Sequence, residues 1–382
     1  MNVLYIAFSD FSNLYFGANK KVISQCKALE KLGNTVTLMG RYRSDIAKIS
    51  TDGSVEPVRK YQTSGVDLLN KVLNKKRLSS AIRKYVQDKH FSLCYIRYDL
   101  STPDFLKTVK ALKRVCDKIV IEIATYPYQK EYANAQFSGI RLWMDDYYGR
   151  KLKDYVDYMI SFYEVEGGRI FDIPVIQVPN GFDFSNSKVI TDPTVPKDIH
   201  IAAVSTMREW HGYERFIEGM YQYYANGGER NIILHLVGTG PEYTKYMTLV
   251  EKYALQEKVI FHGAMHGDEL GKLLERCTIG VDSLARHRSG ISVLSSLKSR
   301  EYGGVGIPLI NSCKIDIMED DYPYCLYTLA DESAIPMEDV IAFHDRVYAG
   351  NNRAEVAAQI RSYIEERSDM NAVMKKVMDR VV

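Results

Sequence analysis

Residues 2–39 have the sequence NVLYIAFSDFSNLYFGANKKVISQCKALEKLGNTVTLM. Its first apolar run, residues 3–8, is typical of a buried strand. Apolar side chains then recur at helical spacing over residues 19–32, and Gly33 ends this segment before a second strand-like run at residues 35–39. A strand, a helix and a strand in this order predict a βαβ unit with two parallel strands.

The same alternation continues along the rest of the chain. Further strands are predicted at residues 93–97, 119–124, 199–205, 231–237 and 259–262, with helical segments between them. Alternating strands and helices favour a parallel sheet that is covered by helices on both faces. The sequence therefore predicts an α/β protein.

The length of 382 residues exceeds what one hydrophobic core usually organises, so two domains are expected. A polar, proline-containing stretch at residues 184–198 separates two halves that each show the alternation. We predict two Rossmann-like domains that face each other across a cleft. Residues 1–185 would form the N-terminal, acceptor-binding domain, residues 186–355 the C-terminal, donor-binding domain, and residues 356–382 a helical tail that braces them.

Composition excludes several classes of protein. Hydrophobic residues make up 46% of the chain and charged residues 26%, as in ordinary globular proteins. The formal charge of +2 gives no field that would gather nucleic acid. The six cysteines are scattered without metal-ligand or redox spacing, which favours a cytoplasmic location. Because no apolar stretch approaches the roughly 20 residues that span a bilayer, we expect any membrane contact to be peripheral.

Two glycine-containing turns lie between a predicted strand and a predicted helix. Gly17 precedes the first helix, and Gly238 and Gly240 follow the strand at residues 231–237. Glycine lets the backbone approach a ligand, and the start of a helix favours a phosphate group. These turns are therefore candidate phosphate-binding loops, with an ordinary tight turn as the alternative.

A third candidate motif combines a basic loop, Arg-His-Arg at residues 286–288, with a helical segment that carries Lys298 and Glu301. Residues three apart share one face of a helix. A cation and a carboxylate on one face can hold a diphosphate and a neighbouring pair of sugar hydroxyls. The alternative is a solvent-exposed ion pair of little energetic value, which spacing alone favours.

Several motifs together resemble those of retaining glycosyltransferases of the GT-B fold, family 4. In the order and spacing of that family they are VPNGFD (178–183), VGTGPE (237–242), VIFHG (259–263) and EYGGVGIP (301–308). The segment around Gly17 also looks like the family's glycine loop. The stretches EIATYPY (122–128), WHGY (210–213) and LKSREY (297–302) further resemble a branch found among bacterial capsule and exopolysaccharide transferases.

The resemblance implies a role for Glu301 as the second member of the family's glutamate pair, which receives the ribose hydroxyls of the nucleotide. Val293 stands where the first glutamate is expected. The family's phosphate-binding arginine and lysine fall on Thr206 and His211. His211 would contact phosphate or, alternatively, pack beneath the Gly212 turn.

Because Thr206 is not a cation, the charge that meets the diphosphate is expected from Arg208, Lys298 or Arg300. Lys298 is preferred because it shares a helix face with Glu301. The predicted donor-binding set is Gly17, His211, Gly238, Gly240, Lys298, Arg300 and Glu301.

Glu122 lies in an apolar predicted strand, where an unpaired carboxylate would be costly to bury. With Thr125, Tyr126 and Tyr128 just after it, it is predicted to form the acceptor site, where tyrosine rings stack on a sugar. A structural ion pair with a residue such as Arg97 is the alternative.

The reaction that the resemblance implies moves a glycosyl group from a nucleoside diphosphate sugar to a sugar or lipid-linked oligosaccharide, with retention, in bacterial surface polysaccharide synthesis. Glu122, Lys298 and Glu301 would be its catalytic residues. No metal and no cofactor besides the co-substrate are expected, and Asp145 and Asp146 are interpreted as surface residues. The alternatives are a noncatalytic subunit of the same fold and a nucleotide-sugar epimerase.

Residues 71–89 carry seven cations interleaved with apolar side chains. Such a segment can lie on an anionic membrane, although a solvated helix face is the more common explanation. The segment predicts peripheral contact with the inner face of the membrane, which would suit a lipid-linked acceptor.

Overall fold

The computed structural model describes residues 1–14, 16–61, 67–129 and 138–382. It divides into two compact units. The first consists of Met1–Asp183 and Met370–Val382, and the second of Phe184–Asp369. The predicted tail at residues 356–382 is thus shared between the units, since its first part belongs to the second unit and its last part to the first.

The secondary structure elements are numbered in chain order. The strands are β1 (Asn2–Asp10), β2 (Thr35–Tyr42), β3 (Asp45–Ile49), β4 (Val55–Arg59), β5 (Phe91–Arg97), β6 (Cys116–Ile123), β7 (Tyr158–Ser161), β8 (Arg169–Ile170), β9 (Ile173–Gln177), β10 (Ile199–Val204), β11 (Ile232–Val237), β12 (Val259–Gly263), β13 (Ile279–Val281), β14 (Val293–Leu294), β15 (Leu309–Asn311), β16 (Lys314–Ile315) and β17 (Cys325–Tyr327). The helices are α1 (Gly17–Lys31), α2 (Asp67–Tyr85), α3 (Pro103–Leu112), α4 (Ser138–Gly149), α5 (Tyr213–Ala225), α6 (Tyr243–Lys252), α7 (Gly267–Leu274), α8 (Leu297–Val305), α9 (Met337–Tyr348), α10 (Arg353–Ser368) and α11 (Met370–Val381).

The first unit contains a sheet of strand order β4-β3-β2-β1-β5-β6-β7-β9-β8. The six neighbouring strands in the middle of this sheet are parallel to one another: β2, β1, β5, β6, β7 and β9. The strands at its two edges, β3, β4 and β8, pair antiparallel. One face packs against α2, α3 and α4, and the other against α1 and α11. Alternate residues of β1 point to opposite faces: Leu4 and Ile6 belong to one core, and Val3 and Tyr5 to the other.

The second unit contains a parallel sheet of order β12-β11-β10-β13-β15-β17. β14 and β16 form a separate parallel pair. The neighbouring strands β11, β10 and β13 are parallel, so the segments that follow them leave the sheet at the same edge, which is formed by the carboxyl ends of the strands. Ligands bind at this edge in open α/β sheets. The predicted α/β architecture of two Rossmann-like units is confirmed.

The prediction for the basic segment is wrong in one respect. Leu78, Ile82 and Val86 are buried in the core of the first unit, so they present no apolar face outward. The side chains of Lys71 and Val72 lie outside the described residues. Over the part of the chain that is described, the helices include none with the length and apolarity to cross a membrane.

Candidate functional site

The segments that follow β10, β11 and β13 are in direct contact. The Met207 N–H donates to the Thr239 carbonyl at 2.9 Å, and the Leu284 N–H donates to the His211 carbonyl at 2.8 Å. This edge of the second unit therefore collects most of the predicted donor residues. They are His211, Gly238, Gly240, Lys298, Arg300 and Glu301.

Gly238 and Gly240 allow two of these loops to approach each other. Gly238 has a φ of +112°, and a Cβ there would lie 2.0 Å from the Ser205 carbonyl oxygen. A Cβ on Gly240 would lie 2.3 Å from the Met207 carbonyl oxygen. Both glycines are thus required for packing, and their predicted contact with a donor phosphate stays a prediction. At Gly17 a Cβ would meet no atom within 4 Å, so sterics alone do not require glycine there.

Lys298 lies in the first turn of α8, which the Ser296 hydroxyl caps by accepting from the Lys298 N–H at 3.0 Å. Its ammonium pairs with the buried Asp282 carboxylate at 3.0 Å and donates to the Asp282 carbonyl at 2.7 Å. Burial alone would raise the pKa of Asp282, but the charge of Lys298 holds this pKa below its ordinary value. Lys298 is therefore neutralised by the protein itself and is not the free cation that the sequence predicts.

Glu301 follows Lys298 by three residues on α8 and is half-buried. Burial lowers the pKa of Lys298, whereas Asp282 and, more weakly, Glu301 raise it. The Glu301 carboxylate thus lies within electrostatic reach of the ammonium, as the spacing predicts.

The environment of Arg300 does not support its predicted role in donor binding. Its side chain is completely buried and pairs with Asp316, with 2.5 Å between Nη2 and Oδ1. It also donates to the Ser296 carbonyl at 3.2 Å and the Ser299 hydroxyl at 2.9 Å. An arginine with these partners holds the start of α8 in place and has no surface to offer a ligand.

His211 packs beneath the Gly212 turn, which was one of its two predicted environments. Its ring is buried and stacks on Tyr213, with 5.6 Å between ring centroids. Burial, together with Lys298 and Arg286, lowers the pKa of His211 well below its ordinary value, so the ring is neutral at pH 7. Because the Arg208 N–H donates to Nδ1 at 3.0 Å, the ring hydrogen resides on Nε2, which can donate to an anion.

Arg286 is a functional candidate that the sequence analysis did not single out. Its guanidinium lies 5.5 Å from the Trp210 ring centroid, and its buried Nε has no hydrogen-bond partner among the residues that the structure describes. In the described part of the chain it forms no ion pair, although its charge acts on His211 and Lys298.

Neighbouring Arg288 differs because it pairs with Glu214 at 2.7 Å and with Glu332. The basic loop was visible in the sequence, but nothing in it indicates which arginine lacks a counter-ion. The structure makes that distinction.

Glu122 lies inside the first unit and takes the ion-pair alternative. Its fully buried carboxylate is 2.6 Å from Arg97 and 3.4 Å from Lys21. It also accepts from the Tyr95 hydroxyl at 2.6 Å and the Gln25 amide at 2.5 Å. Although burial would raise it, the two cations hold the pKa of Glu122 below its ordinary value. The carboxylate is fully occupied, so this geometry does not support its predicted roles in acceptor binding and catalysis.

The other predicted acceptor residues lie in the segment that follows β6. Tyr128 is buried and donates its hydroxyl hydrogen to Asp145, which also accepts from the Ser101 N–H at 2.5 Å. The prediction that Asp145 is a surface residue is therefore wrong. Thr125 and Tyr126 are half-buried and keep part of their surface open.

Across the described residues, no group of three or more His, Cys, Asp or Glu side chains is placed to hold a metal ion. The groups that form the candidate site are therefore its cations, its glycine loops and Glu301. Whether the protein works without a metal stays a prediction.

Comparison with known proteins gives the fold and a domain family. Residues 191–315 match the family model described as glycosyl transferases group 1. This segment lies within the second unit and contains the whole predicted donor set except Gly17. No curated protein matches the chain.

Solved structures align over the full length of the chain. HepE of Anabaena, in complex with UDP, is 14% identical, with a TM-score of 0.63 and coverage of 100% of this chain and 99% of that chain. A sucrose-phosphate synthase from Thermosynechococcus elongatus is 14% identical, with a TM-score of 0.72 and coverage of 100% and 98%. The lipopolysaccharide outer core galactosyltransferase WaaB is 12% identical, with a TM-score of 0.60 and coverage of 99% and 98%. These structures show the GT-B fold, and residues 191–315 match a glycosyltransferase domain family.

Proposed function

We propose that the protein is a retaining glycosyltransferase of family 4 that moves a hexosyl group from a nucleoside diphosphate sugar to an acceptor hydroxyl. The observation that carries this proposal is the unpaired Arg286 guanidinium beside Lys298 and the neutral His211. All three lie within the residues that match the group 1 model. An unpaired, partly buried cation is costly unless an anion joins it, and a diphosphate is such an anion.

Each residue of the site has a specific part in the proposed complex. The Glu301 carboxylate would accept hydrogen bonds from both ribose hydroxyls. Arg286 would neutralise the diphosphate, and the Nε2–H of His211 would donate to a phosphate oxygen without adding charge. Lys298, held by Asp282, would fix the start of α8, whose free N–H groups favour a phosphate.

The proposed transfer needs no group that the site lacks. The bond between the anomeric carbon and the diphosphate oxygen breaks, and the diphosphate leaves with the electron pair. The acceptor oxygen bonds to the same face of that carbon, and its proton passes to the leaving phosphate. Arg286 and His211 would stabilise the charge that grows on the diphosphate, as preorganised donors do in other active sites. We propose that no metal takes part.

The donor and acceptor are proposed from the related structures. Structures of HepE contain UDP and UDP-glucose, so a uridine diphosphate sugar is the first donor to test. WaaB is a lipopolysaccharide outer core galactosyltransferase, and the capsule-like motifs favour the same class of acceptor. We therefore propose a sugar or lipid-linked oligosaccharide acceptor in bacterial surface polysaccharide synthesis.

The decisive experiment is titration calorimetry with UDP, GDP and ADP. We expect one of them to bind, and Arg286→Gln to weaken it by roughly 10- to 100-fold, the loss of one charged hydrogen bond of about 1.5–3 kcal/mol. Arg230→Gln is the matched control, because Arg230 pairs with Asp345 in the same unit.

The remaining outcomes separate the alternatives. Failure of all three diphosphates to bind would favour a noncatalytic subunit. Conversion of a nucleotide sugar without any acceptor would favour an epimerase. An unchanged affinity in Arg286→Gln would show that another group meets the diphosphate.

A further inference from the structure

Helix α4 exposes three large apolar side chains on one side. Ile140, Trp143 and Tyr147 are 61%, 65% and 46% exposed, and their spacing places them on one face of the helix. We call these three residues the aromatic ridge. The Trp143 and Tyr147 rings are nearly parallel, with 5.7 Å between their centroids. The opposite face of α4 buries Asp145 and Gly149.

Among the described residues the ridge faces away from the core of the first unit, and the Lys151 ammonium lies 3.8 Å from the centroid of the Tyr147 ring. Scattered apolar residues on a protein surface need no explanation, but three on one helix face, two of them aromatic, mark an interaction surface. The charges beside the ridge indicate the chemistry of its partner.

The helices next to α4 carry exposed lysines. Helix α4 contacts α3, α3 contacts α2, and all three cover the same face of the sheet. Lys76 and Lys84 of α2 and Lys107 and Lys110 of α3 are exposed, since their helices bury the opposite side. We call these four residues the basic stripe.

The described residues do not neutralise the charge of the basic stripe. Among the described residues, none of its four lysines forms an ion pair. Of the acidic side chains near them along the chain, Asp99 pairs with Lys75 and Asp104 with Arg83. Asp88, which follows α2, is a single exposed carboxylate against four lysines. On α4, Asp146 pairs with Arg150. The outer surface of the three helices therefore carries an uncompensated positive charge beside the aromatic ridge.

We propose that this surface of α2, α3 and α4 docks on an anionic lipid membrane, with the aromatic ridge inserted at the level of the headgroups. Tryptophan and tyrosine favour that level because their rings are apolar and their N–H and O–H groups need a polar partner. Lysines near a negatively charged leaflet add attraction that falls with salt. The apolar part of the contact comes mainly from α4, because Leu78, Ile82 and Val86 of the basic segment are buried.

The positive charge of this surface favours an anionic membrane over a neutral ligand. A neutral sugar polymer would stack on the aromatic rings but carries no negative charge to pair with the four lysines. An anionic bilayer uses both features of the surface. The proposal does not depend on sugar transfer, since the surface lies in the first unit and the candidate donor residues of the site in the second.

The test uses the full chain with vesicles of phosphatidylcholine, alone or mixed with phosphatidylglycerol. The chain has two tryptophans, so Trp210→Phe leaves Trp143 as the single reporter. We expect this variant to sediment with the anionic vesicles only, to show a blue shift of Trp143 emission, and to be released by salt.

Two variants then probe the two halves of the surface. Trp143→Ser should weaken vesicle binding at least tenfold. Changing the four lysines of the basic stripe to glutamine should weaken it by roughly several hundredfold, given roughly fivefold for each of four charges. Leu329→Ser, at an exposed apolar residue of the second unit, is the control and should bind as the parent does.

Three results would overturn the proposal. They are absence of binding to anionic vesicles, binding that both sets of substitutions leave unchanged, and a Trp143 response to polysaccharide but not to vesicles. Thermal unfolding and nucleotide binding of the Trp143, lysine and Leu329 variants that match those of the Trp210→Phe parent would exclude misfolding and keep this result separate from the transferase proposal.

Discussion

Glu122 is a buried carboxylate whose charge is balanced by two cations, Lys21 and Arg97. We expect Glu122→Gln to lower the free energy of unfolding by about 3–5 kcal/mol, because it leaves the buried Lys21 and the half-buried Arg97 without a counter-ion. Urea unfolding of the full chain measures this loss. Glu56→Gln is the control, since Glu56 is exposed in its pair with Lys48 and should change stability by no more than about 0.5 kcal/mol.

The opposite result would restore the role that the sequence predicts. If Glu122→Gln kept its stability but lost sugar transfer, the carboxylate would act on the acceptor. Sequence could not decide between these roles, because Lys21 and Gln25 lie about a hundred residues away along the chain.

The same limit applies to the cations of the donor site. Helical spacing correctly places Lys298 and Glu301 on α8. It does not reveal that Lys298 pairs with Asp282, that Arg300 pairs with Asp316 or that Arg286 stays unpaired. Which cation is free depends on tertiary partners, and local sequence carries no record of them.

Three adjacent strands of the second sheet carry a row of histidines that periodicity alone did not reveal. His200 on β10, His235 on β11 and His262 on β12 are joined by hydrogen bonds of 3.0 Å and 2.9 Å between ring nitrogens. Each bond needs one nitrogen with a hydrogen and one without. Burial, followed by the two neighbouring histidines, lowers the pKa of His235 to about 4, and burial also lowers the pKa values of His200 and His262.

These lowered pKa values predict the direction of the pH dependence of stability. The unfolded chain, with ordinary histidine pKa values near 6.5, binds more protons than the folded chain between about pH 6.5 and pH 4. The stabilisation is therefore complete above pH 6.5 and is lost as the pH falls towards 4. We expect the thermal midpoint of the second unit to fall over this interval.

Substitution of the central histidine should weaken this dependence. His235→Gln keeps a donor and an acceptor but cannot take up a proton, so the midpoint should change less with pH than in the parent. His90→Gln, at an exposed histidine beside Asp117, should keep the parental slope. Equal slopes in all three proteins would mean that carboxylates cause the acid sensitivity.

At the scale of the whole molecule, alternation of strands and helices predicts both sheets. The polar, proline-containing stretch at residues 184–198 predicts the boundary between the units, and the second unit begins at Phe184. The end of the chain is different. Helix α10 packs on α8 in the second unit, where Ile364 lies against Gly303, and α11 packs on α1 in the first. Both helices carry apolar residues at helical spacing, and spacing states that a helix is buried without stating where.

The placement of α11 predicts that a substitution near the end of the chain destabilises its beginning. Met374 is buried on α11 in the core that includes Val22 and Tyr5. Met374→Ala should cost the first unit about 2–5 kcal/mol, because it removes buried apolar contacts and leaves a cavity. Hydrogen exchange should show faster opening of β1 and α1, with β10 and β11 unchanged. Lys375→Ala, one residue further along and largely exposed, should leave both units as they are. Faster exchange in the second unit alone would mean that α11 belongs to the core of that unit, and no change in either would mean that its packing contributes little.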